Sequence, residues 1–265
     1  MEVLRLTSCM AENADAFCRG VAAYLGDRLG IATELVEHVS WAERERLFDE
    51  GAVDVAWLCG LPYAWKADDG DCDVEILAAP VMAAARYGGR AVYFSDVVVR
   101  SDSRFRRFED LRGSIWAYNE RRSHSGAGVV RAHLAALGEG GRFFGVVVES
   151  GAHQRSIERI VSGEVDASAI DSTVLELEIA RRPELDRLLR VIEVLGPSPM
   201  PPWVVHRRLP ANLRDAVREA LLRMQEDASG REALACGRAA RFVRASDRDY
   251  DAVRQTARLA DAVPL

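Results

Sequence analysis

The stretch "GAVDVAWLCG", residues 51 to 60, constrains the fold most, because its middle is a nearly unbroken apolar run too short for a core helix. A run of this length reads as a strand buried on both faces, as in a parallel sheet covered by helices. The preceding residues agree. "EVLRLTS" alternates like a strand, and "NADAFCRGVAAYLGDRLG" carries apolar residues at helical spacing and stops at Gly30. "IATELVEHV" is predicted as a second strand. Ser40 then caps "WAERERLFDEG", with Glu43 as capping-box partner. This β-α-β-α-β alternation specifies an α/β layered sheet.

Extended segments follow, "CDVEILAAPVMAA" and "AVYFSDVVVRSDS", and then a second α/β run begins. Its strand "SIWAY" leads into a polar turn, and "GVVRAHLAAL" is helical until Gly138. "RFFGVVVESG" is a strand, "HQRSIERIVSG" a helix, "VDASAI" a strand and "DSTVLELEIARRPEL" a helix. The proline-rich "LRVIEVLGPSPMPPWVV" reads as an extended return crossing, and the tail as helices. The pattern predicts two similar α/β lobes with the second inserted into the first. Residues 1–91 and 197–265 form lobe 1 and residues 92–196 form lobe 2. Trp57 and Trp116, inside predicted buried strands, are core.

Composition narrows the class. The 265 residues are 49% hydrophobic, enough for a substantial core, and the net charge of −6 argues against a nucleic-acid-binding surface. Lys66 is the single lysine, so Schiff-base chemistry has one candidate, in the polar stretch "WKADDGDCD". The five cysteines, Cys9, Cys18, Cys59, Cys72 and Cys236, are irregularly spaced, which fits neither a disulfide framework nor a zinc ribbon. No apolar run is long enough to span a membrane. The N-terminus shows no basic-then-apolar leader, so the chain as written is expected in the cytoplasm, or outside it if a leader was removed.

One turn concentrates donors. "SHSGAG", residues 123 to 128, joins a predicted strand to a predicted helix. The first turn of a helix has N–H groups without intrahelical partners, and its dipole places partial positive charge there. Ser123, His124 and Ser125 add side-chain donors, while Gly126 and Gly128 allow close backbone approach. The cluster suits a small tetrahedral oxyanion. The alternative is that a serine only caps the helix. No third glycine completes a dinucleotide fingerprint, and neither G-x-x-x-x-G-K-[ST] nor G-x-S-x-G occurs.

In this order the segments resemble the substrate-binding proteins of phosphate/phosphite/phosphonate ABC transporters, over roughly residues 3 to 235. The similar stretches are "GAVDVAWLCGLPYAW", "VYFSDVVVRSDSRFRRFEDLRGSIWAYNERRSHSGAG" and "SGAHQRSIERIVSGEVDASAIDSTVLE". The resemblance implies a two-lobed periplasmic-binding-protein fold of type II, each lobe a mixed sheet flanked by helices, with two crossing segments. It implies lobe closure over an anion held by Ser123, His124 and Ser125. Tyr63 and Tyr93 map to the family's cleft aromatics and His153 to its ligand-contacting histidine. Asp171 maps to a polar cleft position and Ser8, with Cys9, to the cleft mouth. Asp171 is equally placed to cap "STVLELEIA", and each of the others has a purely structural alternative.

Two departures from the family carry expectations. His124 stands where related loops carry a threonine-like residue, and it would make affinity fall as pH rises through the imidazole pKa. The return crossing lacks the acid that aminoalkyl-phosphonate binders place there, so a small oxyanion or neutral-tailed phosphonate is expected, with Trp203 as an apolar wall. The implied partners are a small anionic ligand and an ABC permease, with no cofactor or metal and a monomeric chain. The competing readings are a cytoplasmic enzyme on the same fold, of the chorismate dehydratase type, using Asp171, His153, His124 or Cys59, or a ligand sensor.

Overall fold

The strand and helix order follows the apolar periodicity closely. The computed structural model describes residues 3–69 and 73–265. In chain order it begins β1 (Val3–Ser8), α1 (Asp15–Leu29), β2 (Ala32–Val36), α2 (Trp41–Asp49), β3 (Val55–Trp57), α3 (Gly60–Asp69) and β4 (Val74–Met82). The middle is β5 (Val92–Arg100), β6 (Ile115–Tyr118), α4 (Val129–Ala136), β7 (Val146–Glu149), α5 (His153–Ser162), β8 (Ala167–Asp171), α6 (Ser172–Arg181) and α7 (Leu185–Leu188). It ends β9 (Leu189–Pro199), β10 (Trp203–His206), α8 (Ala211–Leu222), α9 (Ala228–Cys236), β11 (Ala239–Val243) and α10 (Asp251–Ala260). The chain divides into two compact units, Met1–Val92 with Pro199–Tyr250, and Tyr93–Ser198 with Asp251–Leu265.

The first unit is built on a mixed six-stranded sheet in the order β11-β4-β10-β3-β1-β2. β1 runs parallel to β2 and β3, whereas β10 is antiparallel to β3 and β4. β3 is an inner strand with Val55 and Ala56 fully buried, as its apolar run requires. Gly30 takes the left-handed conformation that ends α1 (φ 65°). Ser40 Oγ accepts from Glu43 N at 3.3 Å, but the Glu43 carboxylate turns to Arg46, so half of the expected capping box forms.

Four local features add to or correct the pattern reading. Residues Gly60–Asp69 after β3 form a helix, α3, whose first half is buried, and Pro62 fits because a first-turn residue needs no N–H partner. Lys66 in that helix pairs with Glu45 Oε1 at 2.9 Å and Asp49 Oδ2 at 2.7 Å. Its amine therefore holds α3 to α2 and is no free nucleophile. Trp203 is fully buried and stacks on Trp57 at 5.7 Å, with Phe17 and Phe242 edge-on, so it belongs to the core rather than to a ligand wall. β11, which the helical reading of the tail passed over, adds an edge strand antiparallel to β4 and brings Phe242 into that core.

The second unit has a five-stranded sheet in the order β7-β6-β8-β5-β9, with β6 parallel to β7 and β8, and β5 antiparallel to β8. Its core gathers Trp116, stacked on Phe144 at 4.5 Å, with Phe108 and Phe143. The tail from Asp251 packs here and not on the first lobe where it was expected. α10 lies against α4, burying Val253 and Ala260, and Val263 enters the core while its carbonyl accepts from Arg131 Nε at 2.7 Å. The apolar face of α10 decides the placement. Among the described residues, no helix is long and apolar enough to cross a membrane.

Candidate functional site

Strand β6 ends at Tyr118, and the chain then forms the donor-rich turn before α4. Residues His124–Gly128 adopt a π-helical turn, with Ser123 as its extended N-cap. Such turns are rare and often mark functional positions. Ser123 Oγ accepts from Gly126 N at 3.1 Å, so the capping role exists. The same oxygen lies 3.4 Å from Ser125 Oγ. The first-turn amides of His124 and Ser125 have no intrahelical acceptor.

Two histidines extend the cluster. His153 is the first residue of α5, and its Nε2 is 3.0 Å from Ser125 Oγ. His124 Nε2 is 3.1 Å from Ser198 Oγ, and its ring meets Tyr93 edge-on at 6.5 Å. Ser123, His124, Ser125, His153 and Tyr93 are all buried. Both histidines keep an Nδ1 without a hydrogen-bond partner. Burial holds both imidazoles down at about 4, so they are neutral near pH 7. This corrects the expectation that His124 would titrate across the neutral range.

The second unit thus gathers Ser123, His124, Ser125, His153 and Tyr93. Asp171, at the end of β8, caps α6: its Oδ1 accepts from Thr173 N at 2.8 Å and Thr173 Oγ1 at 2.7 Å. Burial raises its carboxyl to about 6 against those hydrogen bonds, with Asp96 also raising it. Ser8 and Tyr63 belong to the first unit. Ser8 Oγ accepts from Met10 N at 3.2 Å, and Tyr63 OH donates to Asp247 Oδ1 at 2.8 Å while its ring meets Tyr250.

The sequence reading missed Asn119 and Ser198. Asn119 is buried, its Oδ1 has no partner, and it packs directly beneath Gly126. A Cβ built on Gly126 would stand 1.9 Å from that oxygen and 3.3 Å from His153 Cε1. Gly126 is therefore required by close packing. The signal was present, since Asn119 follows the strand directly in the same polar stretch. Ser198 sits within the proline-rich crossing and reaches His124 only through the fold.

The donors assembled here are uncharged. Hydroxyls, neutral imidazoles and first-turn amides can surround a desolvated anion, each bond being strengthened by the ligand's charge. Among the described residues, no group of three metal-ligating side chains comes together. Cys9, Cys18, Cys59 and Cys236 are in no disulfide, and burial pushes the Cys18 thiol up to about 12. Cys72 lies outside the described residues.

Comparison with known proteins agrees with this architecture. A binding component of an ABC phosphonate transporter from Pseudomonas aeruginosa superposes with a TM-score of 0.85 at 19% identity, over 98% of this chain and 86% of that one. PhnD1 from Prochlorococcus marinus, in complex with methylphosphonate, gives 0.84 at 17% identity over 99% of each chain. The aliphatic sulphonate binding protein SsuA from Escherichia coli gives 0.64 at 15% identity, over 98% of this chain and 86% of that one. At these identities the likeness shows the fold, which is that of the type II periplasmic binding proteins. The family model for the periplasmic substrate-binding proteins of phosphonate ABC transporters matches residues 10–250. The chain belongs to the phosphonate-binding substrate-binding proteins of ABC transporters.

Proposed function

We propose that the turn at Ser123–Ser125, with His153, captures the oxyanion head of a small phosphonate or related tetrahedral anion for delivery to an ABC permease. The 3.0 Å contact between Ser125 Oγ and His153 Nε2 carries this reading. It joins two donors from separate elements beside unpaired first-turn amides. Tyr93 and Ser198 fix the His124 ring on its other side. Methylphosphonate, the ligand of the similar Prochlorococcus protein, is the natural first probe. Ser8 and Tyr63 have their hydroxyls bonded within the first unit and are not used in this proposal. Asp171 enters it as the cap that orients the start of α6.

Binding proceeds without chemistry in this reading. A serine beside a histidine invites comparison with a nucleophile and its base. His153 is held at about 4, however, which makes it a weak base near pH 7, and its Nδ1 has no orienting partner. Capture by lobe closure, implied by the family resemblance, belongs to the same proposal, as does a monomeric chain.

Calorimetry against methylphosphonate, phosphate, phosphite, sulfate and chorismate tests the reading. Saturable binding of a phosphorus oxyanion, with the ligand recovered unchanged, supports capture. Conversion of chorismate or any other probe would move the assignment to catalysis.

A further inference from the structure

The second unit carries another polar pocket that the anion turn does not account for. It has a volume of about 490 Å³, within the range of small-molecule sites. Arg121 and Arg131 are the ionised side chains on its wall, with Tyr118 beside them. Ala127, Val147, Pro264 and Leu265 supply an apolar remainder.

The two guanidinium groups are set in place by neighbours that leave their charge largely uncompensated. Arg131 Nε donates to the Val263 carbonyl at 2.7 Å, which fixes the plane of its fork. The nearest carboxylate to Arg131, on the exposed Asp261, is 4.0 Å away, a separation and exposure at which an ion pair contributes little. Arg121 hydrogen-bonds the Tyr118 hydroxyl, and that hydroxyl donates to Glu149 Oε2 at 2.9 Å. Burial, together with Glu149, raises the Tyr118 phenol above its usual range, so it remains a donor at neutral pH. Glu149 is the acid in this network, and its carboxylate is engaged by that phenol.

A cavity lined by both cationic forks and aliphatic side chains matches an amphipathic anion. The guanidinium fork fits the two oxygens of a carboxylate, and the apolar lining favours an organic body over a bare inorganic ion. We propose that this pocket is a second ligand site, selective for small organic carboxylates and separate from the uncharged Ser123–Ser125 turn. It does not rest on the reading of that turn.

Ligand-observed saturation-transfer NMR and calorimetry with benzoate and hexanoate test the proposal on the full chain, with inorganic phosphate as the bare anion. Both carboxylates should bind saturably with dissociation constants below about 10 mM and more tightly than phosphate at this pocket. Saturating methylphosphonate should not displace them, and Ser125→Ala should leave them bound. Arg121→Gln, at an exposed position, should weaken both carboxylates by about fivefold or more, as should Arg131→Lys. Unchanged melting temperature and methylphosphonate binding in Arg121→Gln would establish that the variant is folded. Absence of saturable carboxylate binding, displacement by methylphosphonate, or wild-type affinity in both arginine variants would overturn the proposal.

Discussion

Ser125 and His153 are 28 residues apart in the chain, yet their side chains meet at 3.0 Å, hydroxyl oxygen to imidazole Nε2. The contact joins the turn after β6 to the start of α5, two loops at the same end of adjacent parallel strands. In open α/β sheets, ligands bind outside that end of the strands.

Removing this hydroxyl should weaken methylphosphonate binding without abolishing the fold. Ser125→Ala deletes one hydrogen bond to a charged ligand, worth about 1–3 kcal/mol, or roughly 5- to 150-fold in dissociation constant. Calorimetry on wild type and variant measures the difference, and an unchanged constant would take Ser125 out of the site. His153→Ala should also lower the melting temperature of the free protein, because the ring is buried and its loss leaves Ser125 Oγ without that partner.

Gly126 tests the packing beneath the turn. An alanine Cβ there would overlap Asn119 Oδ1, so Gly126→Ala should displace the turn and lower both affinity and stability. Adding Asn119→Ala removes the obstructing atoms and should restore part of the loss. A double variant no better than the single one would show that close packing against Asn119 is not the constraint.

Acid stability should follow the buried imidazoles. His124 and His153 titrate near 4 when folded and near 6.5 when unfolded, so between those values the unfolded chain binds more protons. Their contribution to stability is present above about pH 6.5 and is lost as pH falls towards 4. Asp171 acts in the opposite sense. Its carboxyl is raised from 3.8 to about 6, so the folded state holds the extra proton, and that contribution is lost as pH rises through 6. The melting temperature of the double variant His124→Gln, His153→Gln should fall less steeply than wild type from pH 6.5 to 4.5. Parallel curves would contradict the depressed imidazoles.

The same titration bears on binding. Both rings are neutral from pH 6 upwards in the free protein, and if they donate to the ligand as neutral imidazoles, methylphosphonate affinity, corrected for the ligand's own ionisation, should be level between pH 6 and 8. A steady tenfold decline across that interval would mean that binding takes up a proton, with a histidine charged in the complex.

Asp171 separates capping from recognition. Asparagine caps helices about as well as aspartate, whereas alanine at an N-cap costs about 1 kcal/mol. Asp171→Asn should keep methylphosphonate affinity and stability at pH 7, and Asp171→Ala should lower the melting temperature. Loss of binding in the asparagine variant at full stability would assign the carboxylate to the ligand.

The fold was legible where the apolar pattern had one solution. The unbroken run at Val55–Trp57, the stop at Gly30 and the alternating first strand each admit a single reading. The helical reading of Asp251–Ala260 was right as well, but its docking partner depends on which unit its apolar face covers, and local pattern carries no such information. α3 was missed because its buried half is short and a proline stands inside it. At the candidate site, the clustering of the Ser123–Ser125 donors could be read because they adjoin in sequence. The roles of Asn119 and Ser198 follow from contacts that only the fold creates. The neutrality of the histidines also escaped the sequence, because it comes from burial.

A crystal structure with methylphosphonate tests the central claim most directly. The account predicts phosphonate oxygens within about 3 Å of Ser125 Oγ, a His153 ring nitrogen and a first-turn amide of the 123–128 loop. Phosphonate bound elsewhere, with the Ser125–His153 contact undisturbed, would contradict it.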